Sequence, residues 1–287
     1  MNLSNTRASV GLFANATPTS TNISGNVQIG QSSQMLNLTS ADVAYSMQAF
    51  FAGGSDVLSL NPSTGSTAGS TTWVAGSAQI ETATAAGTIA ASGNASVTVT
   101  AAGMTGSPKT IPVAVLLNDT ASQWADKVRV ALNADTAVSA LFAVSGSGTS
   151  IILTRKATLI ASGEITTSIF PSTDATLNVA LANGTCTGIT AAASSANTNA
   201  GVATDGVLIY DGDGKDFEGL TLPTITTINA QLFKTLSSAF VVDGSGDDLF
   251  TIAANGSYLF SPGLAETTYT FTSTAAGAIQ ITVVGTA

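Results

Sequence analysis

Residues 118–142, NDTASQWADKVRVALNADTAVSALF, form the stretch that decides the fold, because they alone show a clear helical pattern among strand-like segments. Thr120 and Gln123 form a capping box at its start. Asp135 can cap a second, shorter helical turn. Apolar residues lie at i, i+4, i+7 and i+8 and so share one face of a helix, namely Trp124, Val128, Ala131 and Leu132. The pattern predicts one main helix buried through Trp124.

The segments around this helix alternate at the period of a β-strand. Residues 95–100, ASVTVT, place Val97 and Val99 on one face. Residues 109–115, KTIPVAV, form a second strand that Pro112 restricts to an edge or a strand start. After the helix, GSGT turns the chain into SIILTR. We therefore expect a sheet of two or three strands with one face covered by the helix, whose role we interpret as structural rather than partner-binding.

The remaining segments read as strands and tight turns. DVAYSMQAFF, residues 42–51, fits either a strand or a helical face, and we favour a strand with DVLSLN, residues 56–61, as its hairpin partner. Near the end of the chain, apolar residues alternate with polar ones, as in TTYTFTS and AIQITVVG. Short strands with this alternation are typical of a β-sandwich or jelly roll. The predicted fold is mainly β: an N-terminal arm and split β domain in 1–78 and 202–287, with an α+β module inserted at 79–201.

The composition points to assembly. Of 287 residues only 9% are charged while 44% are hydrophobic, so hydroxyls and amides rather than charges make the surface polar. Such a surface suits packing against copies of the chain. The net charge of −9 argues against nucleic-acid binding, which depends on Lys and Arg. We also expect a soluble protein made in the cytoplasm, because the chain shows neither a signal-peptide pattern nor a run of 18 apolar residues.

The chain offers little material for catalysis. It contains no histidine, which excludes imidazole bases, His ligands and Ser-His-Asp arrangements. Its single cysteine, Cys186, excludes an intrachain disulfide and is expected to be a packing residue. Aromatic residues are 6% of the chain, and no set of exposed rings suggests a sugar cleft between paired carboxylates. We therefore expect no enzymatic activity and no cofactor.

Two carboxylate clusters lie in glycine-rich segments. DGDGKDFEG, residues 211–219, could hold Ca²⁺ through Asp211, Asp213 and Asp216. Lys215 and Leu222, however, occupy loop positions where an EF-hand needs oxygen ligands. We interpret this segment as a solvated turn and assign no metal site. DGSGDD, residues 243–248, is interpreted as a hairpin tip.

One long segment resembles a module that recurs in virion proteins of tailed bacteriophages. The resemblance lies in AAGMTGSPKT, in DTA followed by the helix, in SGSG, in a strand ending LTRK, and in DATLNVALANGTCTGITAAASSANTNAGV. It covers residues 79–220 well and the remainder loosely. In this chain ATLIASGEITTSIFPST, residues 157–173, departs from the module's pattern, and we expect it to form a lengthened hairpin loop.

The resemblance implies a structural protein of the virion, assembled in the host cytoplasm. The leading expectation is a capsid decoration or cement protein: a homo-oligomer, expected to be a trimer, that contacts the major capsid protein. The N-terminal segment would lie extended on a neighbour by adding strands to an exposed edge. A tail tube or fibre component, and an adhesion module that binds host glycans, are the alternatives.

Overall fold

The computed structural model describes residues 25–28, 35–38, 42–61, 66–69, 73–162, 165–211, 225, 227–244, 247–260 and 268–286. The chain divides into two compact units. Unit 1 comprises Met1–Val74, Leu159–Ile169 and Asp205–Ala287, and unit 2 comprises Ala75–Thr158 and Phe170–Thr204. Antiparallel sheets make up most of the described chain, and its two helices both lie in unit 2. The prediction of a mainly-β fold with one main helix is confirmed.

Unit 1 contains two five-stranded sheets, whose strands are numbered along the chain. In spatial order, the first sheet is β15 (Val207–Asp211), β3 (Asp42–Phe51), β21 (Gly277–Thr286), β16 (Thr227–Leu236) and β19 (Ser257–Phe260). The second is β18 (Asp247–Ile252), β17 (Phe240–Gly244), β20 (Tyr269–Ser273), β4 (Val57–Asn61) and β5 (Ser66–Gly69). Two hairpins accompany them: β1 (Gly25–Gln28) with β2 (Met35–Leu38), and β11 (Thr158–Ser162) with β12 (Ile165–Ile169).

The two five-stranded sheets of unit 1 share one buried core, which makes the unit a β-sandwich. Alternate residues of β20 enter it, namely Tyr269 and Phe271. Aromatic rings meet edge to face there: the ring centroids of Phe233 and Phe271 lie 5.1 Å apart, and those of Phe51 and Phe240 lie 4.9 Å apart. Such pairs stabilise a core beyond the area they bury.

The predicted hairpin between β3 and β4 is wrong, because the two strands lie in different sheets. β3 pairs with β15 and β21, whereas β4 pairs with β20 and β5. The connection between them is held by a hydrogen bond of 2.7 Å from the Gly53 N–H to Asp56 Oδ2. Both strands bury one apolar face in the same core, but they do so from its two different sheets. Alternation shows that each strand has a buried face but does not identify its neighbour.

The outer face of β3 is also apolar, and the β11–β12 hairpin covers it. Phe50 on β3 is fully buried and is directly opposite Ala278 on β21. Ile160 and Ile169 of the hairpin pack against both. The Gln280 side-chain amide donates to the Ser162 hydroxyl at 3.3 Å. The predicted hairpin is therefore present, but its residues belong to the core of unit 1, which interrupts the predicted module 79–201.

Unit 2 holds the remaining strands and both helices. One sheet is β14 (Ala196–Asn199), β6 (Ile80–Thr84), β10 (Ser150–Arg155) and β9 (Phe142–Ser145), and the other is β13 (Asn178–Asn183), β7 (Gly93–Thr100) and β8 (Lys109–Val115). The helices are α1 (Ala121–Ala134) and α2 (Thr136–Leu141). α1 contacts β8 of one sheet and β9 and β10 of the other. The expected single sheet of two or three strands is therefore wrong: the helix closes a core between two sheets.

The helix itself forms as its sequence predicts. Thr120 and Gln123 make a capping box, and the Asp135 carboxylate accepts from two backbone N–H groups at the start of α2. Trp124, with Val128 and Leu132, has no exposed surface. The Trp124 indole N–H donates to the Gly87 carbonyl at 3.1 Å, so its one polar atom is satisfied. Pro112 lies on the edge strand β8, as predicted.

Candidate functional site

The candidate calcium ligands lie largely outside the described residues. Asp211 ends strand β15. Asp213 and Asp216 fall in the segment 212–224, which the structure does not describe. Among the residues it does describe, no group of three or more Asp, Glu, Cys or His side chains is placed to hold a metal ion.

Two smaller predictions about polar residues are confirmed. β17 and β18 pair as a hairpin, with Asp243 opposite Asp248 and Gly244 opposite Asp247. Cys186 is 2% exposed and packs in the core of unit 2.

A pocket of about 280 Å³ opens in unit 2, next to Gln79, the residue that precedes strand β6. We call it the Arg155 pocket; its lining residues are Gln79, Ala102, Arg155 and residues 171–175. Gln79 is 3% exposed, and both polar atoms of its side-chain amide hydrogen-bond to the backbone of Asp174 in the pocket's wall. Its amide N–H donates to the Asp174 carbonyl at 3.0 Å, and its oxygen accepts from the Asp174 N–H at 2.7 Å.

Asp174 anchors the loop that forms this wall. Its Oδ2 accepts from the Ala102 N–H at 2.6 Å, and its Oδ1 accepts from the Thr176 N–H at 2.9 Å and the Thr176 hydroxyl at 2.6 Å. Burial raises the pKa of Asp174, but these hydrogen bonds and the positive charge of Arg155 lower it more, so the pKa lies below its ordinary value. Asp174 is therefore an ionised carboxylate whose oxygens are already engaged.

A second acidic group lies at the same end of the core. Glu81 on β6 is 2% exposed, and one of its oxygens accepts from the Ser195 hydroxyl. The Ser195 N–H in turn donates to Asn178 Oδ1 at 2.9 Å. Glu81 is opposite Leu153, two residues before Arg155 on β10, so the Glu81 and Arg155 side chains are diagonal neighbours.

Arg155 is the positively charged residue that lines the pocket. Its guanidinium carbon lies 5.2 Å from the centroid of the Phe142 ring, a cation–π contact. Within the described chain its guanidinium makes neither a hydrogen bond nor an ion pair, and its Nη1 atom is buried. Sequence reasoning missed this pocket, because Gln79 and Asp174 are 95 residues apart and no local spacing signals their pairing.

An apolar tip lies between β8 and α1. Leu116 and Leu117 are 63% and 55% exposed. Their backbone is nevertheless fixed: the Leu116 N–H donates to Asp119 Oδ2 and the Leu117 N–H to the Ser92 hydroxyl, each at 2.7 Å. Asp119 also pairs with Lys127 on α1. Burial raises the pKa of Asp119. The hydrogen bonds from Leu116 and Lys127 lower this pKa by more than burial raises it, so it lies below its ordinary value.

The outer face of the β13–β7–β8 sheet carries no charge along its central rows. Thr98 is opposite Ala180 on one side and Thr110 on the other, and the next row joins Ala182, Ser96 and Pro112. The hydroxyls of Thr98 and Thr110 lie 2.8 Å apart and hydrogen-bond. We call these six residues the Thr98 face.

No protein-family model and no curated protein matches this chain. None of the described helices is long and apolar enough to cross a membrane. The described site features are thus an uncharged sheet face, a fixed apolar tip and a pocket with an unpaired guanidinium. They belong to a mainly-β protein.

Proposed function

We propose that this chain is a structural protein of a tailed-bacteriophage virion, acting as a capsid decoration or cement protein. It would assemble as a homo-oligomer, a trimer in the simplest arrangement, and contact the major capsid protein at junctions between subunits. The resemblance of residues 79–220 to a virion module motivates the proposal. The structural observation that carries it is the Thr98 face, a broad uncharged surface next to a fixed apolar tip.

The Thr98 face suits protein contact because it contains no charged side chain that binding would have to desolvate. The hydroxyls of Thr98 and Thr110 hydrogen-bond to one another, so part of their hydrogen bonding is kept when a partner covers them. Crowded copies of a chain with only 9% charged residues also repel one another weakly.

The apolar tip supplies a favourable free energy of contact. Burying one leucine side chain that is otherwise exposed contributes about 1.5–3 kcal/mol. The backbone of Leu116 and Leu117 is already ordered by hydrogen bonds, so binding costs little conformational entropy there. In an oligomer this modest contact is repeated, and the second contact forms at high effective concentration. A shell held by such links gains stability by mass action.

A binding experiment on particles tests the tip. Leu116→Ser combined with Leu117→Ser should weaken retention on purified capsids by about tenfold or more, since losing two buried leucines removes more than about 1.4 kcal/mol per contact. Val130→Ser is the matched control, because Val130 is 70% exposed but lies on α1 rather than in the tip. Equal retention of both variants would contradict a role for the tip.

An image of the intact particle tests the assignment itself. Many copies over the capsid surface, in symmetric clusters, would support a decoration protein. Stacked rings along the tail would instead identify a tube component. A few copies at one vertex or fibre tip would identify an adhesion module, and either of these last two outcomes would overturn the proposal.

A further inference from the structure

We propose that the Arg155 pocket binds a carboxylate on a short aliphatic stem. The two sources of this chemistry are a small free carboxylic acid and the acidic side chain of a docked polypeptide. The inference is independent of where the protein sits in a particle. It rests on the guanidinium, on the state of the two nearby acids, and on the size and lining of the pocket.

The Arg155 guanidinium lacks the partners that a largely buried arginine requires. It carries five N–H donors, and its buried Nη1 atom donates to no described residue. Leaving a buried donor unsatisfied is destabilising, and more so for a charged group. The guanidinium carbon lies over the Phe142 ring, which offers no oxygen acceptor to the guanidinium N–H groups. A carboxylate matches the edge of a guanidinium with two parallel hydrogen bonds.

The two acids of the same region do not supply this partner. Both oxygens of Asp174 accept bonds from Ala102 and Thr176, and one oxygen of Glu81, Oε1, accepts from Ser195. The other Glu81 oxygen, Oε2, is buried and accepts no hydrogen bond from a described residue. Neither acid forms an ion pair with Arg155 among the described residues. Their negative charges nevertheless oppose an incoming anion. We therefore expect the affinity for a single carboxylate to be only millimolar.

The pocket's size and lining select the rest of the ligand. About 280 Å³ accommodates a group of the size of a glutamate side chain but is small for a drug-sized molecule. Ala102, Pro171 and Ala175 present aliphatic surface to a stem. No aromatic side chain is among the lining residues, so a sugar ring would find nothing to stack on. The lining thus favours an aliphatic acid over a sugar.

The direct test is a titration of the isotope-labelled full chain, followed by NMR of its backbone amides. Propionate should shift the amide signals of Ala102 and Asp174 and saturate at millimolar concentration. Propionamide has the same shape without the charge and should leave these signals in place. This comparison uses the unaltered protein, so it does not depend on any variant folding. Equal shifts with propionamide, or no saturable shift with propionate, would overturn the proposal.

Variants of Arg155 then identify the residue that binds. Arg155→Gln should weaken propionate binding by at least about tenfold, whereas Arg155→Lys should keep part of it because the charge remains. Lys156→Gln is the matched control: Lys156 is the next residue, is exposed, and donates to the Ser139 carbonyl instead. Amide spectra that match the wild type away from the pocket would establish that each variant is folded. Unchanged binding in a folded Arg155→Gln protein would refute the assignment.

A further arm distinguishes the two sources of the carboxylate. N-acetyl-glutamate methylamide presents the same acid on a peptide backbone. Binding at least about tenfold tighter than that of propionate would identify an acidic side chain as the ligand class. Equal or weaker binding, with the propionate response intact, would identify a small free acid.

Discussion

The sharpest prediction concerns the β11–β12 hairpin, whose residues follow the strands of unit 2 yet belong to the core of unit 1. Ile160 is 4% exposed and packs with Phe50 and Ala278, whereas its neighbour Leu159 is 66% exposed. Ile160→Ala should lower the free energy of unfolding by about 2–5 kcal/mol, because it removes three buried carbons and leaves a cavity over β3. Leu159→Ala should change it by less than about 0.5 kcal/mol.

The chain's two tryptophans make this measurable unit by unit. Trp73 belongs to unit 1 and packs, partly buried, against the same cluster as Ile160. Trp124 belongs to unit 2. In a Trp124→Phe background, fluorescence during urea unfolding therefore reports on unit 1 alone. Ile160→Ala should lower the midpoint of the Trp73 transition, with Leu159→Ala as its control.

Two outcomes would refute this reasoning. If Ile160→Ala moved the Trp73 transition no further than Leu159→Ala does, the hairpin would not be a working part of the core of unit 1. If the shift appeared only in the Trp124 transition, measured in a Trp73→Phe background, the hairpin would stabilise unit 2 instead.

Trp124→Ala should destabilise unit 2 by about 3–5 kcal/mol in urea unfolding, while Trp124→Phe should cost less because it keeps most of the core volume; similar small losses would mean that the ring is not core. A fragment of residues 75–204 with the hairpin replaced by a short Gly-Ser linker should melt cooperatively in circular dichroism, and an unstructured fragment would refute autonomy of unit 2. Burial raises the pKa of Asp135, but the hydrogen bonds from Lys109 and from the α2 backbone lower it by more, so it lies below its ordinary value of 3.8. Its charge therefore stabilises the fold above that pH and is lost as pH falls through the lowered pKa; Asp135→Asn, which keeps the cap, should flatten the pH dependence of the unfolding free energy in acid, and an unchanged slope would refute this. Removing residues 1–24 should reduce retention on particles far more than it lowers the melting temperature of the free protein; full retention would exclude an N-terminal anchor.

Local features of the chain were predictable because their causes are local. The helix begins at Ala121 since Thr120 and Gln123 satisfy its first N–H groups, and Asp135 starts the next helix in the same way. Period-two alternation correctly identified the buried residues of β7 and β20, because a strand with one face in a core must alternate. The candidate site was not predictable, since Gln79 meets Asp174 only when distant segments fold together.

The sequence by itself determined the mainly-β character, the helix with its caps and the burial of Trp124, since each depends on residues within a few positions of one another. Only the tertiary structure decided which strands became neighbours. β3 and β4 are consecutive but lie in opposite sheets, and the β11–β12 hairpin covers Phe50, which lies far earlier in the chain. An apolar face specifies that it must be covered but not by what, because the hydrophobic effect is non-directional. The choice among possible covers is made by the shape and register of the whole core, which no local pattern encodes.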